Sequence, residues 1–220
     1  MRPLRVIIEP GPRGYGEVLA EQKARVAAIL SSAGAPYVLH FLQHRPVLTL
    51  GRAFKEDHLP QGRGVFQRRG VEIVAVERGG SVTYHGPGQL VGYLHLHLHE
   101  CGLSLRGLMR ALEQWVMDFL ELRGLHGTRS EGLTGVWVDG AKVSAIGIAA
   151  SRFVSFHGFS LNLNSDLDLK IFSEIVPCGI VGKPVSRLQK PGGAPESFER
   201  AVSDLLAVLP PFLARLPREN

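Results

Sequence analysis

The chain has 220 residues, 45% of them hydrophobic and 20% charged, which is the balance of a soluble globular protein large enough to bury a substantial core. No apolar run reaches bilayer-spanning length, the apolar stretch near Met1 is too short for a secretory leader, and two cysteines (Cys101 and Cys178) make no disulfide framework. A single cytoplasmic domain over residues 1–220 is expected, and the net charge of +5, scattered rather than gathered in a stripe, points to an acidic protein or an anionic substrate instead of nucleic acid or membrane.

In chain order, Arg5 to Ile8 reads as a first strand ended by Pro10-Gly11-Pro12, and Glu17 to Leu30 as a helix with Gly34 beyond its end. Strands follow at Pro36 to Leu42 and Pro46 to Leu50, separated by the polar turn Gln43-His44-Arg45. Residues 55–70 read as an irregular basic connection. Strands at 72–77 and 90–98 then flank Arg78 to Gly88, a loop with four glycines, one proline and a cluster of polar tips. Glycine lets a ligand approach the main chain closely, so Arg78, Thr83, Tyr84 and His85 stand around one concave spot.

Ser104 to Leu122 carries the clearest helical period: Leu105, Leu108, Leu112, Val116 and Phe119 recur at three- and four-residue spacing behind a capping serine. Gly135 to Ala149 reads as a hairpin turned at Asp139-Gly140, with Lys142, Ser144 and Ile146 on one side of the second strand. A strand at Gly158 to Leu163, a short helix near Leu169 to Ile175, and a helical region from Pro195 to Leu213 interrupted at Pro210-Pro211 complete the chain. Strands outnumber helices and come in consecutive runs, so the fold class is α+β with a mixed, largely antiparallel sheet flanked by helices.

Three groups bear chemistry. His95, His97 and His99 alternate with leucines. Same-face neighbours on one strand lie about 6–7 Å apart, too widely spread for an easy tetrahedral metal cap, so the pattern reads as a half-buried strand with a wet histidine face and no metal is expected. Cys178 sits between Pro177 and Gly179, a setting for an exposed bend and a nucleophilic thiolate, whereas Cys101 reads as idle. A cation beside Cys178 would favour the thiolate, and Lys142, on an otherwise apolar strand, is the candidate; spacing alone does not show that the two touch.

Taken in order, RGGSVTYHGPGQLVGY, KVSAIGI, HGFSLNLN and VPCGI resemble the lipoyl (octanoyl) transferases of lipoate biosynthesis, over nearly the whole chain. The resemblance implies a biotin/lipoate ligase-like fold and no cofactor. It implies Cys178 as acyl-thioester nucleophile and Lys142 as its pKa-lowering partner. Arg78, Gly79, Gly80, Ser81, Val82, Thr83, Tyr84 and His85 match the family's acyl-substrate contacts, as do Ala145, Ile146, Gly147, Gly158, Phe159 and Ser160. Ser81 and the His-Leu repeat depart from the family's usual residues. The implied donor is octanoyl-acyl carrier protein, and the implied acceptors are lipoyl domains of 2-oxo-acid dehydrogenase complexes and the glycine cleavage H protein. Tyr84, Ile146 and Phe159 are expected to line the acyl slot, while Gly79, Gly80, Gly147 and Gly158 let the backbone close around it. His85 and His157 are rival bases to Lys142. An ATP-dependent lipoate or biotin ligase, which needs no Cys178, and a non-catalytic acyl-binding domain are the other readings.

Overall fold

A computed structural model describes residues 2–164, 166–176, 184–188 and 196–219. Among the described residues nine strands form two sheets. The larger has the order β1-β2-β6-β9-β8-β7, from β1 (Leu4–Arg13), β2 (Tyr37–His44), β6 (Gln89–His95), β9 (Val154–Asn162), β8 (Ala141–Ser151) and β7 (Val136–Val138). The smaller has β4 (Glu72–Ala75), β3 (Val47–Leu50) and β5 (Val82–His85), in that order. Only β1–β2 and β3–β4 pair in parallel, so the mixed, largely antiparallel α+β architecture expected from the element order is the one observed.

Helix α3 (Leu105–Glu121) forms where the apolar period predicts it. The Ser104 hydroxyl accepts from the Gly107 N–H at 3.0 Å, satisfying a donor that the first turn would otherwise leave orphaned. Its inner face presents Leu108, Leu112, Trp115, Val116 and Phe119 to the large sheet, and Trp115 packs edge-on against Phe159 of β9 with centroids 5.4 Å apart. The Trp115 indole N–H donates to the Leu205 carbonyl of α5 (Phe198–Ala207) at 2.8 Å, seating that helix against the same core. Helix α1 (Tyr15–Ser31) covers the sheet near β9, β2 and β6. The small sheet has a separate apolar cluster: Leu48, Leu50, Phe66, Val82 and Tyr84, with Ile171 and Phe172 of α4 (Lys170–Ser173).

Several boundaries differ from the sequence reading. β1 runs on through Pro10-Gly11-Pro12, because it is an edge strand where proline forfeits no ladder bond, and a register shift between Glu9 and Pro12 absorbs the extra residues. Residues 55–70 are not irregular: they hold a 3₁₀ turn at Glu56–His58 and helix α2 (Arg63–Arg68), anchored by buried Phe66. The loop after β4 yields at Val82 to the strand β5. β9 begins at Val154 rather than Gly158, following a two-residue turn at Arg152-Phe153 with φ of 45° and 65°. The Asp139-Gly140 turn is as expected, with φ of 50° and 77°. The histidine face is wet only at its far end, where His97 is half-buried and His99 exposed beyond the last residue of β6. His95 is fully enclosed opposite Val38 of β2, and burial pushes its imidazole down to about 3.

Candidate active site

A cavity of about 250 Å³ opens where the two sheets meet. Its walls come from the glycine loop (Arg78, Gly79, Gly80), from β5 (Thr83, His85), and from β8 and β9 (Lys142, Ala145, Ile146, Gly147; Gly158, Phe159, Ser160). Twelve of the fifteen expected site residues within the described chain therefore meet in one place: Lys142 and the eleven substrate-contact positions just named.

 The other three described positions lie outside it. Ser81 hydrogen-bonds His58, Val82 is enclosed in the small core, and Tyr84 packs edge-on against Phe172 with centroids 5.8 Å apart. Tyr84 therefore braces the small sheet instead of lining the slot. Cys178 lies outside the described residues.

The glycines act on one another as much as on a ligand. A Cβ on Gly158 would stand 2.0 Å from the Gly92 carbonyl oxygen, so Gly158 is needed for β6 and β9 to approach. The Gly79 N–H donates to the Ile148 carbonyl at 3.1 Å, which ties the loop to β8. Arg78 is nearly buried and works as a strut: its guanidinium donates to the Thr49 carbonyl at 2.6 Å, to the Thr49 hydroxyl at 2.7 Å and to the Gly79 carbonyl at 2.9 Å. The loop is thereby fixed to β3, and a positive charge is held at the cavity wall.

Around that charge lie groups from distant parts of the chain. Tyr15, Gln89, Tyr93, His157 and Asn162 also line the cavity, and His44 stands behind them with its ring 4.8 Å from that of Tyr15 and 5.8 Å from that of His85. Burial pushes His44 down to about 4 and His85 and His157 to about 3, with the Arg78 charge adding to the effect on the last two. All three are neutral at physiological pH. The hydrogen bonds then set tautomers: His44 Nδ1–H donates to the Arg13 carbonyl at 3.2 Å and Nε2 accepts from the Tyr93 hydroxyl at 2.7 Å, while His85 Nδ1–H donates to Gln89 Oε1 at 2.7 Å. Burial raises Tyr15 to about 12 and Tyr93 well above its usual value, so both hydroxyls stay protonated as donors.

Neighbours on both edges of β8 place Lys142. Its ammonium lies 5.1 Å from the centroid of the Trp137 ring, within cation–π range. Its stem runs over Gly135, where a Cβ would come within 2.5 Å of Lys142 Cε. Gly135 is held in turn by its N–H donating at 3.1 Å to Glu113, a fully buried carboxylate that also accepts from Arg110 at 2.6 Å and Arg129 at 3.0 Å. On the other edge of β8, Lys142 N–H donates to the Pro184 carbonyl at 2.8 Å, and the Ser186 N–H donates to the Lys142 carbonyl at 2.9 Å.

Residues 15–209 match the family described as Lipoyl protein ligase A/B catalytic domain. An octanoyltransferase of Parabacteroides distasonis is 39% identical over 208 residues, 90% of this chain and 93% of that one. One of Sphingopyxis alaskensis is 39% identical over 215 residues, covering 96% and 94% respectively. Among solved structures, lipoate-protein ligase A bound with ATP superposes with a TM-score of 0.73 at 14% identity, over 100% of this chain and 89% of that one. The biotin protein ligase of Aquifex aeolicus in complex with biotin and ATP gives 0.54 at 13% identity, over 97% and 71%. These two likenesses speak to the fold alone.

Proposed function

We propose, for a chain that belongs to the lipoyl protein ligase A/B catalytic domain family and is an acyltransferase, that it moves an octanoyl group from acyl carrier protein to a lysine of lipoyl domains through a Cys178 thioester. The observation carrying this reading is the cavity itself: an apolar slot between Ile146 and Phe159 that ends in fixed polar groups, with a lysine on its wall. Burying about six methylenes contributes on the order of 5 kcal/mol, enough to discriminate against much shorter acids. The Pro184 carbonyl, six residues after Cys178 in sequence, accepts from the Lys142 main-chain N–H, so the chain returns to the Lys142 strand soon after Cys178, which supports pairing the thiol with that residue.

In the first half-reaction the Cys178 thiol gives its proton to Lys142, and the thiolate attacks the carrier thioester. Its carbon–sulfur bond to the carrier breaks. The departing thiolate takes the proton back from Lys142, leaving an octanoyl-enzyme and a neutral Lys142 amine. In the second, the acceptor lysine ammonium gives one proton to Lys142 and its free amine attacks the octanoyl carbonyl. As the carbon–sulfur bond breaks, the amine's second proton goes to the departing Cys178 sulfur. This leaves an amide, the Cys178 thiol and a Lys142 ammonium that returns its proton to water. His85 and His157 are poor rivals for the acceptor's first proton. Moving it from an ammonium near pKa 10.4 to an imidazole near 3 is uphill by about 10 kcal/mol. Exchange between two amines carries no such penalty. A basic chain suits the acidic carrier, and the expected acceptors are lipoyl domains of 2-oxo-acid dehydrogenase complexes and the glycine cleavage H protein.

Intact-protein mass spectrometry after mixing with octanoyl-acyl carrier protein, without ATP, tests this. An octanoyl adduct should appear on the wild type, vanish in Cys178→Ser and form at least about 100-fold more slowly in Lys142→Ala. Normal acylation of Lys142→Ala would refute the dyad. Product formed only from free octanoate and ATP would favour a ligase, and absence of any adduct or product would favour a binding domain.

A further inference from the structure

A chain of buried amides crosses the cavity wall and ends at the segment beside Lys142. His85 Nδ1–H donates to Gln89 Oε1 at 2.7 Å, and Gln89 Nε2–H donates to Asn162 Oδ1 at 2.9 Å. Asn162 Nδ2–H then donates to the Ser186 carbonyl at 2.7 Å. Every donor in the series points the same way, so each amide's orientation is dictated by the one before it. The main chain adds to the hold: the Leu188 N–H donates to the Asn162 carbonyl at 3.0 Å. Residues 184–188 are thus fixed at two places. Asn162 holds them at Ser186 and Leu188, and Lys142 holds them at Pro184 and Ser186.

The reason for such an arrangement lies in the sheet. β9 ends at Asn162, and its ladder with β8 begins at the pair Ser144–Leu161, so at Lys142 that edge of β8 has no β9 partner. Residues 184–186 take the vacant place, with an isolated parallel bridge between Lys142 and Val185. A bridge of that length has few bonds of its own and depends on the neighbours that clamp it. Gln89 is 1% exposed and Asn162 4%, so water is not at hand to replace a lost amide bond.

We propose that Asn162 is a positioning residue: its amide, oriented by Gln89, holds residues 184–188 against Lys142 and so fixes where the Lys142 main chain stands relative to the cavity. In its catalytic consequence this rests on the reading of Cys178 and Lys142 given above; the pinning itself does not. The Asn162→Asp side chain keeps the shape and still accepts from Gln89, but it sets a carboxylate oxygen against the Ser186 carbonyl. Gln89→Leu removes the orienting bond and leaves the Asn162 amide in place, so it serves as a second variant should Asn162→Asp not fold.

The test has two readouts on the full chain. The first is amide hydrogen exchange at Ser186, whose N–H is held by the Lys142 carbonyl; it should speed at least tenfold in Asn162→Asp and by less in Gln89→Leu. Unchanged exchange in both variants overturns the pinning. The second is the pH dependence of iodoacetamide alkylation at Cys178, followed by peptide mass spectrometry, which a merely structural loss elsewhere would not move. The wild-type thiol should titrate below the ordinary value of about 8.5 and the variants closer to it. A lowered wild-type value that is unmoved in the variants overturns the positioning role. A wild-type thiol already at the ordinary value overturns the Cys178–Lys142 reading instead, and the exchange result then judges the pinning alone.

Discussion

Four histidines buried in neutral form make stability strongly dependent on acid. His44 is pushed to about 4 and His85, His95 and His157 to about 3, all from an ordinary 6.5. The sign follows from which state takes up protons first. Between pH 6.5 and 4 the unfolded chain protonates these imidazoles and the folded one does not, so stability is full above 6.5 and falls as pH drops. At pH 5 each histidine costs about 2 kcal/mol, and the four together on the order of 8 kcal/mol. That is comparable with the roughly 5–15 kcal/mol by which a native domain is stable. Urea denaturation at pH 8, 7, 6 and 5 should therefore show a midpoint nearly constant from 8 to 7, falling by 6 and largely lost by 5. The slope should be shallower in His95→Gln, which removes one of the four groups away from the cavity wall. Equal midpoints at pH 7 and pH 5, or an imidazole NMR titration of these residues near 6.5, would refute the reasoning.

Two packing predictions follow from the same geometry. Glu113→Ala removes a fully buried carboxylate from Arg110, Arg129 and the Gly135 N–H. Both arginines are partly exposed and can rehydrate, so the loss should be about 2 kcal/mol by urea denaturation rather than the larger cost of a wholly enclosed pair. A change under about 0.5 kcal/mol would mean that Glu113 does not hold the floor beneath Lys142. Gly158→Ala sets a methyl against the Gly92 carbonyl, which is backbone and cannot swing aside, and should cost about 3 kcal/mol or more. Gly11→Ala, with nothing within 4 Å, should stay within about 0.5 kcal/mol of wild type; similar values for the two would show that β6 yields easily.

What could be read in advance depended on local signals. Helix α3 declares itself through its apolar period and its serine cap, and the β7–β8 turn through Asp139-Gly140. The turn at Arg152-Phe153 has neither glycine nor asparagine, so its left-handed backbone leaves no mark in the sequence and the first half of β9 goes unread. Strand β5 hides inside the glycine loop because only four residues separate its flanking turns. The histidines mislead in part: alternation with leucine suggests one wet face, yet His95 lies on β6, an inner strand covered on both sides, and the strand ends before half-buried His97 and exposed His99. In the site, the glycine loop and the Lys142 strand are each contiguous and legible. Tyr15, Tyr93, Gln89 and Asn162 arrive from separate elements, and only the sheet order brings them together.

The cavity occupies the seam between two interiors, each with an apolar cluster of its own. Ile146 and Phe159 belong to one cluster and Phe172 to the other, and all three face the same hollow. A guest filling that hollow would touch both clusters at once, so its burial adds apolar contact to each interior in the same step and stabilises the folded chain as a whole.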